Sequence, residues 1–211
     1  MAKKLLIFAG PNGSGKSTLY HKMQSKYTSL ANLPLINPDD IAKELFGNFL
    51  PDGTKESNRQ MLRAGKKALL QRKDLLAQDK SFGFETTLSG NSEKHTITEA
   101  LNRGYQLYIV YVALDDPFLN VQRVKTRVQN KGHFVEPSTV VRRYHKSMQN
   151  LNEIIPLAKG VYLFDNTFSK FRLIASLRES GARKEKSVII KDALPTWSSN
   201  AIATLIERMK D

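Results

Sequence analysis

Eight residues near the front of the chain restrict its fold more than anything else in the sequence. Gly10, Pro11, Asn12, Gly13, Ser14, Gly15, Lys16 and Ser17 match the pattern G-x-x-x-x-G-K-[ST]. An apolar run from Leu5 to Ala9 precedes them, and helix formers such as Leu19, Lys22 and Met23 follow. Glycines let the backbone turn so that successive N–H groups point inward at phosphate oxygens. The helix behind them adds unpaired N–H donors and the positive end of its dipole. In such a cradle Lys16 reaches the β- and γ-phosphates of a nucleotide, and the Ser17 hydroxyl joins a magnesium shell.

The remainder of the chain alternates short apolar runs with helical periodicity, which predicts an α/β layer architecture around a mainly parallel sheet. Five strands are expected: Leu5 to Ala9, Leu35 to Asn37, Phe82 to Glu85, Leu107 to Leu114 and Val161 to Phe164. Helices are expected over Lys16 to Tyr27, Pro38 to Phe46, Lys55 to Gln78, Ser92 to Arg103, Pro117 to Asn130 and Pro137 to Ile155. Beyond Asp165 the texture turns basic. Phe171 to Leu177 and Arg183 to Ile190 read as a hairpin, with a helix from Pro195 to Met209 behind it. The expected organisation is a P-loop core over 1–166, with a lid around 128–143, and a C-terminal extension over 167–211 packed on it.

The 211 residues suffice for one domain with a sizeable core, and none is cysteine. Disulfides, thiolate metal sites and cysteine nucleophiles are therefore excluded, and a reducing cytoplasm is the expected setting. No apolar run approaches the roughly 20 residues of a membrane helix. The net charge of +13 calls for anionic company: nucleotides, phosphosugars, nucleic acid or an acidic partner protein.

Other chemistry-bearing residues cluster where strands end. Asn37, Pro38, Asp39 and Asp40 follow the second strand. They suit a helix start, with Asn37 as N-cap and acids in the first turn. In an open parallel sheet ligands also collect there, and Asp39 is placed to accept the proton of an attacking hydroxyl. Glu85, Thr86, Thr87 and Ser89 close the third strand, either as a turn or as hydrogen-bonding groups for a polar acceptor or magnesium-bound water. Arg123 and Arg127 lie four apart beside an apolar stripe, followed by Lys131, Arg142 and Arg143. Guanidinium groups grip phosphate oxygens bidentately, and a solvated basic face is the other reading. His133 is read as a lid or packing residue. Asp115 is either a distal ligand of magnesium-bound water or an N-cap.

These segments together resemble the zeta-toxin family of small P-loop kinases, especially its short bacterial branch of predicted ATPases or kinases. The resemblance lies in Gly10 to Thr18, Asn37 to Ala42, Phe84 to Gly90, Gly104 and Tyr105, Arg123 to His133, Arg142 to Tyr144, and Asp165 with Asn166. It implies a P-loop NTPase of nucleoside-monophosphate-kinase type, a three-layer sandwich with a mainly parallel five-stranded sheet. It also implies ATP and Mg²⁺, phosphate transfer to the 3′-hydroxyl of a UDP-sugar such as UDP-N-acetylglucosamine, and silencing by a helical antitoxin. Gly10 to Thr18 would bind ATP, with Lys16 catalytic and Ser17 on the metal. Asp39 would activate the hydroxyl, and Glu85, Thr87 and Arg142 would hold the acceptor. Arg123 matches one transition-state arginine. The second lies in a lid of different length here, which leaves Arg127, Arg142 and Arg143 as rival candidates. A polynucleotide kinase, suggested by the charge, and an ATP-binding component that acts by association are the alternative readings.

Overall fold

The structure is a computed structural model that describes residues 2–47, 54–129, 134–168, 170–180, 185–191 and 193–209. The chain opens with β1 (Lys4–Ala9), the phosphate-cradle loop, α1 (Lys16–Gln24) and a short α2 (Thr28–Ala31). It continues through β2 (Leu35–Ile36), α3 (Pro38–Phe46), α4 (Lys55–Ala77), β3 (Phe82–Thr86) and α5 (Asn91–Asn102). Then come β4 (Gln106–Ala113), α6 (Pro117–Gln129), α7 (Pro137–Ile154) and β5 (Gly160–Asp165). A hairpin, β6 (Arg172–Ser180) and β7 (Glu185–Ile190), leads through a 3-10 turn at Thr196–Ser198 into α8 (Ser199–Glu207).

All strands join one sheet in the order β2-β3-β1-β4-β5-β6-β7. The first five are parallel, and β6 and β7 run antiparallel at the edge. Seven strands replace the expected five, because the C-terminal hairpin hydrogen-bonds to β5 and extends the sheet. The physical reason is the open edge of β5, whose unpaired backbone groups β6 satisfies. The lid expected over 128–143 includes 130–133, among them His133, which lie outside the described residues.

Strand period two divides the apolar side chains between both faces of the sheet. Leu5, Ile7, Leu107, Ile109 and Tyr111 enter the larger core, while Phe8, Val110 and Val112 pack with Leu19 and Tyr20 of α1 on the other side. Helix α8 shares the larger core through Ala201, Ile202 and Leu205, and the Trp197 ring lies 5.7 Å from that of Tyr111. The order places β1 between β3 and β4. The chain leaves β1 toward one side and later crosses to the other, so the carboxyl end of β1 is the switch point where ligands collect. The cradle loop sits there.

Candidate active site: a phosphate cradle between two clefts

Gly10, Gly13 and Gly15 all have positive φ (142°, 74° and 96°). The requirement is spatial as well as conformational at all three: a Cβ on Gly10 would overlap the Val112 carbonyl oxygen. A Cβ on Gly13 would stand 2.7 Å from the Asn120 carbonyl oxygen, and one on Gly15 would stand 2.5 Å from Asn166 Nδ2. Side chains from distant elements hold the loop: Asn120 Nδ2 donates to the Asn12 carbonyl (2.6 Å) and Asn166 Nδ2 to that of buried Ser14 (2.8 Å). Neither Asn120 nor the role of Asn166 follows from the loop motif, because their partners are main-chain atoms more than a hundred residues away.

Lys16 is the first residue of α1 and is buried. Its Nζ donates to the Pro11 carbonyl (3.0 Å) and lies 4.0 Å from Glu85. Burial pushes its ammonium below the ordinary lysine range, and Glu85 and Asp39 partly offset this. Glu85 is shifted the opposite way: burial raises its carboxyl above the usual range, against the pull of Lys16 and of the Ser17 hydroxyl. Ser17 Oγ lies 3.0 and 2.8 Å from the two Glu85 oxygens, and Asn37 Nδ2 donates to one of them (3.2 Å). Hydroxyl and carboxylate oxygens are the hard donors that Mg²⁺ takes, so this pair fits such an ion.

Asn37 also caps α3, its Oδ1 accepting from the Asp39 backbone N–H at 2.9 Å. The Asp39 carboxylate is left facing Arg127, with Oδ2 3.6 Å from Nη1. Arg123 turns away from it and donates to the Asn166 carbonyl (2.8 Å), so burial lowers its pKa while Asp165 raises it.

Two clefts meet at this point. One, of about 540 Å³, is bordered by Asp39, Thr87, Arg72, Glu93 and Arg143. The other, of about 430 Å³, is bordered by Ser17, Thr18, Lys22, Arg123, Asn166 and Phe171. Gly13, Lys16, Glu85 and Arg127 border both. Lys16, Asp39, Glu85, Thr87, Arg123 and Arg127 are thus brought together. Arg142 is not: it is exposed and borders neither cleft, whereas Arg143, one residue on and about 100° around the helix, faces the first and approaches Asn12 Oδ1 at 3.4 Å. Asp115 does not cap α6 and borders neither cleft. Its Oδ1 accepts from Thr196 N and Oγ1 (2.7 and 2.6 Å) at the turn before α8, while Asp116 accepts from the Phe118 backbone at the start of α6.

The acceptor side holds a strained turn. Leu88 has φ of 56°, is buried, and is held by the Asn150 amide on its carbonyl (2.8 Å) and by Thr86 Oγ1 on its N–H (2.9 Å). A leucine in the left-handed region costs of order 1–3 kcal/mol, and such residues gather at functional sites. The turn presents Thr87, whose hydroxyl pairs with Ser89 at 2.8 Å.

Sheet order, cradle and paired clefts define a P-loop protein with a kinase-like fold. The zeta toxin family model matches residues 1–167, and the chain belongs to that family. A Haemophilus influenzae protein of uncharacterized function is 31% identical over 144 residues, 68% of this chain and 94% of its own. Among solved structures, the AvrRxo1-ORF1:-ORF2 complex with ATP superposes with a TM-score of 0.66 at 17% identity, over 100% of this chain and 64% of that one. A chain of the PezAT chromosomal toxin-antitoxin system of Streptococcus pneumoniae gives 0.56 at 17% identity, over 78% of this chain and 67% of that one. This chain therefore spans somewhat less than two thirds of the AvrRxo1 chain it matches.

Proposed function

We propose that the protein is an ATP-dependent kinase that transfers the γ-phosphoryl group to a hydroxyl of a small acceptor, a UDP-sugar such as UDP-N-acetylglucosamine. The observation that carries the reading is the junction of the two clefts at Lys16, Glu85 and Arg127, with Asp39 on one side only. A transfer enzyme needs donor and acceptor to meet at the phosphoryl group that moves, and this arrangement supports a donor on the Ser17 and Arg123 side and an acceptor on the Asp39 and Thr87 side.

In this reading the loop amides and Lys16 hold the β- and γ-phosphates. Ser17, with Glu85 beside it, would hold Mg²⁺, which supplies charge neutralisation between those phosphates. Asp39 takes the proton of the acceptor hydroxyl as its oxygen attacks the γ-phosphorus, the bond from that phosphorus to the β-phosphate oxygen breaks, and ADP leaves. Arg127 and Arg123 offset negative charge on the transferring group, and Thr87 orients the acceptor. Family membership and the likeness to a toxin–antitoxin complex support an antitoxin as protein partner.

The test is incubation with γ-labelled ATP, Mg²⁺ and a panel of UDP-sugars, nucleosides and oligonucleotides. Label on a UDP-sugar supports the reading. Label on an oligonucleotide, which the net charge of +13 would favour, replaces it with a polynucleotide kinase. Absence of label on every acceptor removes the small-molecule kinase reading.

A further inference from the structure

Helix α4 turns Ala64, Ala68, Arg72 and Leu76 inward at four-residue spacing, so an arginine stands in the middle of an otherwise apolar stripe. Arg72 is 5% exposed. Its guanidinium lies 4.1 Å from the centre of the Phe84 ring, and its buried Nε has no hydrogen-bond partner among the described residues. Burial lowers its pKa, and Glu93 opposes that shift. Glu93, however, is already engaged: Oε1 accepts from Thr86 Oγ1 (2.7 Å) and Oε2 from Ser92 Oγ (2.9 Å). A buried donor without an acceptor is costly, and an anion bound in the adjoining cleft would supply one.

The surroundings identify that anion. Arg72 borders the larger cleft, as does Arg143, whose closest polar contact is the long 3.4 Å approach to Asn12. Arg143 is also desolvated, and Glu93, which borders the same cleft, opposes the lowering of both guanidinium pKa values. Around the cleft, Lys16, Arg72, Arg127 and Arg143 stand against Asp39, Glu85 and Glu93, four cations to three carboxylates. Asp39 is paired with Arg127, Glu85 with Lys16 and Ser17, and Glu93 with two hydroxyls. Arg72 and Arg143 have only the charge of Glu93 to share, which leaves one positive charge unbalanced. Each guanidinium offers five N–H donors, more in sum than the roughly four lone-pair sites of one carboxylate can accept, and a match for the oxygens of a phosphoryl or diphosphate group.

We infer that Arg72, together with Arg143, forms an anion subsite for a phosphate or diphosphate group carried by the acceptor itself, separate from the cradle that takes the donor. Naming the occupant as acceptor rests on the kinase reading above. The subsite selects phosphorylated acceptors over neutral sugars and nucleosides, and Arg72 is a specificity residue with no part in the bond-making step.

The experiment uses the full chain saturated with Mg²⁺ and a non-hydrolysable ATP analogue, so that the cradle is taken. Inorganic pyrophosphate is then titrated in by calorimetry. The wild type should bind one further equivalent. Arg72→Met, which keeps the length and apolar stem, should weaken that binding at least tenfold while leaving affinity for the ATP analogue within twofold. Arg72→Lys should fall between them, and it carries the comparison should the methionine variant not fold. In turnover, Arg72→Met should raise KM for a phosphorylated acceptor at least tenfold with kcat little changed. No pyrophosphate binding beyond the analogue, or equal affinity in wild type and variants, overturns the inference. Pyrophosphate binding without label on any UDP-sugar would leave the subsite standing and sink the proposed acceptor instead.

Discussion

Asp39→Asn separates chemistry from folding better than any other single change at this site. The Asp39–Arg127 pair spans 3.6 Å, but both side chains are more than a third exposed (38% and 37%). An ion pair that wet contributes about 0–1 kcal/mol. A carboxylate in the first turn of α3 adds about 0.3–1 kcal/mol against the helix dipole. The cap is untouched, because Asn37 accepts from the backbone N–H of residue 39 whatever its side chain. The total loss is at most about 2 kcal/mol, or a melting point lower by about 4–8 °C for a chain of this length. Removing a general base, by contrast, slows transfer by about 10²–10⁴-fold, equivalent to about 3–5 kcal/mol of barrier. The kinetic effect exceeds the structural one, and it should fall on kcat. Asp39 borders only the larger cleft, so KM for ATP should stay within about threefold. The assay is ADP release with the labelled acceptor at saturation, run beside a thermal melt. A kcat within threefold of wild type, in a folded variant, would refute the assignment of Asp39 as the base.

Three further outcomes follow from the geometry. Gly13→Ala sets a Cβ 2.7 Å from the Asn120 carbonyl at φ of 74°, so it should cost at least about 1–2 kcal/mol and weaken ATP binding tenfold or more; unchanged affinity in a nucleotide titration would contradict the close-packed cradle. Asp115→Ala removes the acceptor for the Thr196 N–H and hydroxyl, so melting should drop by about 2–4 °C, as for loss of a cap near 1 kcal/mol, with Mg²⁺-dependent turnover unchanged; a large loss of turnover would return Asp115 to the metal site. Glu85 has a carboxyl pKa raised in the folded state, so its contribution to stability is present below the ordinary carboxylate range and fades as pH rises through the raised value. Glu85→Gln should therefore flatten the ligand-free stability profile above that range and abolish Mg²⁺-dependent transfer, while a profile identical to wild type would show that the shift has no energetic weight.

The sequence made the framework legible because its signals are local. Helix α3 begins and ends where Asn37, Pro38 and the following Gly47 say it should, and its apolar and capping residues act within one turn. The parallel strands announce themselves as apolar runs since both faces are covered. The site was legible in part for the same reason: Lys16, Ser17, Asp39 and Glu85 each stand at a strand's carboxyl end or a helix start. What stayed hidden depends on distance along the chain. Asn120 and Asn166 act on main-chain carbonyls of the cradle, and no pattern in their own neighbourhoods reports it. Arg142 and Arg143 are equal as residues, and only the rotation of α7 decides which one faces the cleft. Arg72 did leave a trace, an arginine in register with Ala64, Ala68 and Leu76, but the trace has meaning only once the stripe is known to be the buried one.

The choice between Glu85 and Asp115 as the acid beside Ser17 is made by sheet register. Both are carboxylates near the end of a strand flanking β1, and residue type cannot rank them. In β3, Glu85 is the register partner of Phe8, two residues before Gly10, so its side chain stands within reach of the first turn of α1. In β4, Ala9 is paired with Tyr111, and the strand runs on to Ala113 beside β5. Asp115 is thereby carried four residues past the point where β1 turns into the cradle, and the turn before α8 claims it. The consequence is chemical: the acid that meets Ser17 is a buried one, held beside Lys16 and a helix start, where burial favours its neutral form and Lys16 its charged form. Occupation of the cradle by a nucleotide would draw Lys16 toward phosphate, and the cation that replaces it beside Glu85 would have to arrive with that nucleotide. Metal and nucleotide should accordingly bind with positive coupling, each weakening when the other is withheld.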